Sequence, residues 1–193
     1  MGLLRRGRRR RPSLLKDPYW RAQMVRLFHD VDKDKNGYLT IEEMIANTRP
    51  LKEHCNAPEF KMEALAAAYT EFWGQVGLRR GKKVKKSQFL KGLSRLGREE
   101  LNREAAGVPT LHSKVSHALF DIIDANNNNR LQKREIAQWM AASGLNPDDA
   151  EKMFQEADTK GKGYISREEL IEAEFCSFFH PEKCMAQLGV KVV

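Results

Sequence analysis

A single twelve-residue frame recurs three times along the chain, and it constrains the fold more than any other feature. In "DKDKNGYLTIEE", Asp32 to Glu43, oxygen-bearing side chains stand at the first, third, fifth, ninth and twelfth positions, with Gly37 sixth and Leu39 eighth. "DANNNNRLQKRE" repeats it with Asp124 first, Asn126 third, Asn128 fifth, Asn129 sixth, Arg130 seventh, Leu131 eighth and Glu135 twelfth. "DTKGKGYISREE" repeats it again, with Asp158 first, Gly163 sixth, Tyr164 seventh, Ile165 eighth and Glu169 twelfth. Apolar residues flank each frame at three- and four-residue steps, as in Trp20, Met24, Leu27, Phe28 and Val31 ahead of the first. That is the period of an amphipathic helix. Met44 and Ile45 continue a second helix, predicted to stop before Pro50.

Helix-loop-helix units of this kind pair, because the eighth residues of two loops form a short antiparallel contact that satisfies backbone groups neither loop could satisfy alone. Leu131 and Ile165 are the natural pair. The first loop then needs a partner, and "GLRRGKKVKKSQ", Gly77 to Gln88, supplies one if Val84 is its eighth residue and meets Leu39. Helical "MEALAAAYTEFW" precedes this stretch and "FLKGLSRL" follows it. No carboxylate stands in it, and six Lys or Arg residues crowd positions 79 to 86, so its role is structural. The expected architecture is all-α: four EF-hand units in two paired lobes forming one compact domain. A basic arm spans 1–16, an N-terminal pair 17–100, and a C-terminal pair with its tail 108–193.

The spacing suits calcium, a hard ion that takes six to eight oxygens at about 2.3 to 2.6 Å. In the first loop Asp32, Asp34 and Asn36 offer side-chain oxygens, Tyr38 a backbone carbonyl, Thr40 a direct or water-mediated contact, and Glu43 both carboxylate oxygens. Gly37 permits the left-handed turn that brings the two halves together. The third loop keeps Asp124 and Glu135 but has Asn126 and Asn128 between them, with Arg130 at the carbonyl position. Asn129 tolerates the left-handed turn, and carboxamide oxygens carry only partial charge, so weaker binding is expected. The fourth loop keeps Asp158, Tyr164 and Glu169 but places Lys160 and Lys162 at two ligand positions. Two ammonium groups there repel a dication, and this loop is expected to fold through lysine-carboxylate contacts and brace the third.

The formal charge of +8 is unevenly spread, since Arg5, Arg6, Arg8, Arg9, Arg10, Arg11 and Lys16 all precede Asp17, the first acid. Such an arm cannot bury enough apolar surface to order itself. Through residues 5–11 it is open to an acidic membrane, to nucleic acid or to an import receptor. No apolar run is long enough to span a bilayer and the N-terminus lacks the apolar core of a secretory signal, so the expected address is cytoplasmic, with nuclear or membrane association through the arm. Gly2 follows Met1, but Arg6 stands where a myristoylation signal wants Ser or Thr. Cys55, Cys176 and Cys184 show neither disulfide nor zinc spacing and read as structural thiols. His54, His112, His117 and His180 show no triad or metal spacing and read as surface or capped histidines.

Over residues 17–175 the chain resembles the calcium-regulated photoproteins, the aequorin and obelin family, and their sarcoplasmic calcium-binding branch. "DPYW" with Asp32 twelve residues after its tryptophan, "EFWGQVG" at 71–77 ahead of a dead second hand, and "PTL" with "ALFDIID" within 109–124 carry the likeness. The resemblance implies a two-lobed helical fold, which in luminous members encloses coelenterazine as a hydroperoxide and emits light when calcium arrives. It also implies which residues such chemistry uses, and most are changed. Glu174 and Phe178 stand where luminous members place a histidine and then a tryptophan on the last exit helix, and no tyrosine follows Tyr164. Met24 replaces a luciferin-contacting histidine; Lys86, Val115 and Ile136 replace cavity tryptophans; Trp139 keeps an aromatic at a cavity tyrosine position. Without the imidazole a peroxide loses its proton-transfer partner. Phe72, Trp73, Phe120, Phe154, Phe175, Phe178 and Phe179 then read as ordinary core. The expectation is a calcium-binding protein without catalytic activity, buffer or sensor, with coelenterazine binding or photoprotein-like luminescence as the alternative. A small apolar ligand and a protein target stay open.

Overall fold

The computed structural model describes residues 13–158 and 160–180. A short helical turn at Leu14–Lys16 leads into helix α1, Pro18–Val31. Asp17 starts α1: its carboxylate accepts the Trp20 N–H at 2.8 Å, and Pro18 fills the first turn, where a missing N–H costs nothing. Strand β1, Tyr38–Leu39, and α2, Ile41–Ala46, complete the first hand. Helix α2 ends before Pro50 as expected, but the chain does not stay extended. A new helix, α3, Arg49–His54, begins with that proline in its first turn. Then come α4, Glu59–Val76; β2, Val84–Lys85; and α5, Lys86–Ala105. The C-terminal half carries α6, Leu111–Ile123; α7, Lys133–Ala142; α8, Ala150–Ala157; and α9, Arg167–Phe179. The fold is the mostly helical one expected. Among the described residues no helix is long and apolar enough to cross a membrane.

Both predicted loop pairings are present. β1 and β2 run antiparallel with Leu39 opposite Val84 and Tyr38 opposite Lys85. Leu131 and Ile165 exchange backbone hydrogen bonds of 2.9 and 3.0 Å. The packing is not divided along the same lines. One apolar cluster joins Trp20, Phe28, Leu39, Trp73, Val84 and Phe89 to Phe175 and Phe179 of the last helix. The other joins Phe120, Ile136, Leu131 and Ile165 to Leu51, Met62 and Leu65 from the N-terminal half. α4 and α9 therefore cross between the clusters, and Tyr69 and Val115 pack against both. The Trp20 indole N–H donates to the Phe178 carbonyl at 2.8 Å and ties the first helix to the last.

Of the aromatic residues assigned to the core, Phe72, Trp73, Phe120, Phe175 and Phe179 are buried, while Phe154 and Phe178 are partly exposed. Cys55 and Cys176 are buried, as structural thiols should be; Cys184 lies outside the described residues. Burial, helped by the charge of Glu135, pushes the Cys55 thiol up to about 11. Two histidines overturn the surface reading. His112 is 2% exposed, ringed by Phe72, Phe175, Phe178 and Phe179, and burial pushes its imidazole down to about 4. His180 is also buried, its Nε2 3.1 Å from Glu104 Oε2. The signal for His112 was in the spacing: with Ser116, Leu119, Phe120 and Ile123 it forms the inward face of α6.

Candidate metal centre

Three loops share one backbone conformation. Their fourth residues, Lys35, Asn127 and Gly161, have φ of 56°, 56° and 60°; their sixth, Gly37, Asn129 and Gly163, have φ of 81°, 58° and 79°. The first-position aspartate holds each loop in shape by accepting two backbone N–H groups. Asp32 accepts from Asn36 and Gly37 at 3.1 and 3.0 Å, Asp124 from Asn128 and Asn129 at 3.0 and 2.8 Å, and Asp158 from Lys162 and Gly163 at 2.9 and 2.7 Å. The twelfth-position glutamate closes the far end. Glu43, Glu135 and Glu169 accept the ninth residue's N–H, from Thr40, Gln132 and Ser166, at 2.9, 2.9 and 2.8 Å. That is a capping box, so the residue that would close a metal site also starts the exit helix. The second loop is built differently: its left-handed residues inside the frame are Gly77 and Gly81, at the first and fifth positions.

The contents of the loops then separate them. In the first, Asp32, Asp34 and Glu43 each bring a carboxylate oxygen within 4.8 Å of the others. Asp34 accepts the Asn36 N–H at 3.0 Å and Asn36 accepts the Tyr38 N–H at 2.8 Å, which orients both side chains toward the loop interior. Thr40, the ninth residue, donates its hydroxyl to Glu43 Oε2 at 2.7 Å. Three converging carboxylates with nothing cationic among them fit a divalent ion with oxygen preference. The third loop repeats the scaffold, Asn126 accepting from Asn128 at 3.0 Å and Asn128 from Arg130 at 2.9 Å, but contributes only Asp124 and Glu135 as acids. Both are buried, at 3% and 5% exposure.

In the fourth loop a side chain stands where charge is called for. Lys162 Nζ lies 2.7 Å from Glu169 Oε2 and 4.5 Å from the Tyr164 ring centre. Hydrogen bonding to Glu169 holds the Lys162 ammonium above the usual lysine range, and hydrogen bonds from the Lys162 and Gly163 backbone hold the Asp158 carboxyl below the usual aspartate range. The lysine-carboxylate contact expected for this loop is therefore present.

Two supports were not read from sequence. Lys61, on α4, reaches across to the third loop, donating to the Asp121 carbonyl and, at 2.7 Å, to Asn127 Oδ1. Arg167 lies over the Phe120 ring at 4.1 Å, pairs with Asp121 at 2.7 Å and donates to Asn129 at 3.1 Å, clamping α9 to α6 and the third loop. Neither has a local signal, because both act between elements far apart in the chain.

Loop conformation, paired eighth residues and glutamate-capped exit helices are those of EF hands. The EF-hand domain pair family matches residues 114–173 and the EF hand family residues 24–46. The chain is homologous to the photoproteins: obelin of Obelia geniculata is 26% identical over 157 residues, spanning 80% of each chain, and mitrocomin of Mitrocoma cellularia is 26% identical over 157 residues, spanning 80% of this chain and 79% of its own. The solved structure of calcium-loaded apo-aequorin from Aequorea victoria has the same fold, with a TM-score of 0.79 at 24% identity, covering 84% of this chain and 91% of that one.

Proposed function

We propose that this protein binds calcium in loops 32–43 and 124–135 and uses the hands at 77–88 and 158–169 as braces. The observation that carries the reading is the gathering of Asp32, Asp34 and Glu43 oxygens within 4.8 Å. Like charges at that separation repel unless a cation offsets them. Asp32, Asp34, Asn36, the Tyr38 carbonyl, Thr40 and Glu43 would hold the ion in the first loop. Asp124, Asn126, Asn128, the Arg130 carbonyl and Glu135 would hold a second, more weakly, because two carboxamides replace charged ligands. The ion would supply the positive charge that lets each loop's two halves close. Calorimetric titration tests this: Glu43→Gln removes the tighter heat of binding and Glu135→Gln the weaker. Isotherms indistinguishable from wild type would sink the assignment.

A second reading, an organic ligand of the coelenterazine class, is supported by one feature of the interior. The Trp73 indole N–H is buried beside Tyr69, Phe72 and Phe89 and has no hydrogen-bond partner among the described residues. An orphaned buried donor suits a bound acceptor. Against this reading stand Glu174 and Phe178, where luminous relatives of the resemblance carry histidine and tryptophan. Titrating coelenterazine into calcium-free protein while following tryptophan quenching, then adding calcium before a photon counter, separates the two. Absence of saturable quenching removes the second reading.

A further inference from the structure

Between Glu71 and Glu99 the chain carries nine Lys or Arg residues and no acid. The structure places all nine at the surface of one region. Arg79, Arg80, Lys82, Lys83, Lys85 and Lys86 are exposed around the second loop, and Lys91, Arg95 and Arg98, at four- and three-residue steps, are exposed along α5. Among the described residues the partners of these side chains include no acid: Arg79 donates to the Gly74 carbonyl at 3.4 Å, Arg95 to the Gln75 carbonyl at 3.2 Å, Lys86 lies 3.5 Å from His29 Nε2, and Lys85 sits over Tyr38. Of the acids that flank the region, Glu71 is engaged with Lys114 at 2.8 Å and Glu100 with the N–H groups of Leu111 and His112, while Glu99 is exposed at its edge. Ser13 lies 3.4 Å from the buried Ser94 of the same helix.

We propose that this face docks on an anionic phospholipid bilayer, and that calcium in loop 32–43 strengthens the docking. Nine cations with no acidic partner among the described residues, spread over a loop and one helix face, suit a broad, uniformly charged surface. A nucleic-acid strand would be gripped by a groove with aromatic rings for its bases. None of the exposed large apolar residues, Tyr19, Phe60, Val108 and Leu145, lies in the region. The calcium effect follows from the β1–β2 pairing, which holds the first loop against the basic one. The first loop carries four acids, Asp32, Asp34, Glu42 and Glu43, against Lys33 and Lys35, and a dication cancels that excess within a Debye length of the cationic face. Docking itself stands on the basic face alone; its calcium dependence rests on the function proposed above.

The test is co-sedimentation of the full chain with phosphatidylcholine vesicles and with vesicles containing phosphatidylserine, in chelator and in low calcium, at low and high salt. Binding is expected only to the acidic vesicles, rising with calcium and falling with salt. The variant Arg79→Gln/Arg80→Gln/Lys82→Gln/Lys83→Gln, with the N-terminal arm intact and its helical circular dichroism checked, is expected to lose at least about a hundredfold in partitioning. Equal partitioning of variant and wild type, or equal binding to neutral vesicles, overturns the proposal. So does tighter binding to RNA than to acidic vesicles at the same salt. Docking in chelator that calcium leaves unchanged, in a chain whose calorimetric calcium heats are present, overturns the coupling alone; if those heats are absent, the failure belongs to the calcium reading.

Discussion

Gly92 shows how much rests on single side chains, or on their absence. A Cβ there would stand 2.3 Å from the Val76 carbonyl oxygen, so α5 can cross α4 only where no side chain intervenes. Gly92→Ala forces the two helices apart and is expected to cost about 1 to 3 kcal/mol of stability, the usual range for overpacking. Urea unfolding measures it, and a variant as stable as wild type would show that the crossing has slack. Gly37 serves a different need, a φ of 81° with open space around it, so it is held by backbone conformation alone. His112 shows no ligand spacing, and what places it in the core is the face of α6 it shares with Ser116, Leu119 and Ile123.

At the scale of elements, the first, third and fourth loops were legible because everything that shapes them lies within twelve residues: the first aspartate, the left-handed sixth residue and the capping glutamate. The pairing of Leu131 with Ile165 was legible for the same reason, the eighth position being fixed by the frame, whereas Val84 was found only through the first loop's need of a partner for Leu39. Helix α3 was not, because Pro50 can end one helix or begin another, and packing of Leu51 against the C-terminal cluster decides. The fourth loop gives the sharpest prediction at this scale. Its scaffold matches the first loop's, and Lys162 fills the interior, so Lys160→Asp with Lys162→Asn should add a calcium site. Calorimetry on this double variant is expected to show one more ion than wild type; an unchanged stoichiometry would mean that the shared backbone conformation is not enough.

At the scale of the molecule, the two apolar clusters are linked by α4 and α9, and that linkage was illegible because it depends on which helices cross. It leaves ionisable groups at the junction. Burial pushes the Glu174 carboxyl up to about 7 from 4.5 and the His112 imidazole down to about 4 from 6.5. The signs oppose. Glu174 keeps its proton in the folded state, so its contribution is full below pH 4.5 and is lost as pH rises through 7. His112 stays neutral when folded, so its contribution is full above pH 6.5 and is lost as pH falls toward 4. Between them the two nearly cancel in the wild type. Glu174→Gln removes one slope and should leave stability in chelator rising by about 2 kcal/mol as pH goes from 4.5 to 6.5. A constant offset from wild type across that window would mean that Glu174 does not hold its proton.

The same linkage makes the loops that would hold calcium and the aromatic interior parts of one body, and the number of ions that body takes is the central test. Native mass spectrometry of the full chain titrated with calcium counts them directly. Two bound ions are predicted, filling in succession, with Glu43→Gln retaining only the weaker one. Three or more ions in the wild type, or two in Glu43→Gln with unaltered order of filling, would contradict the assignment of loops 32–43 and 124–135 as the calcium sites.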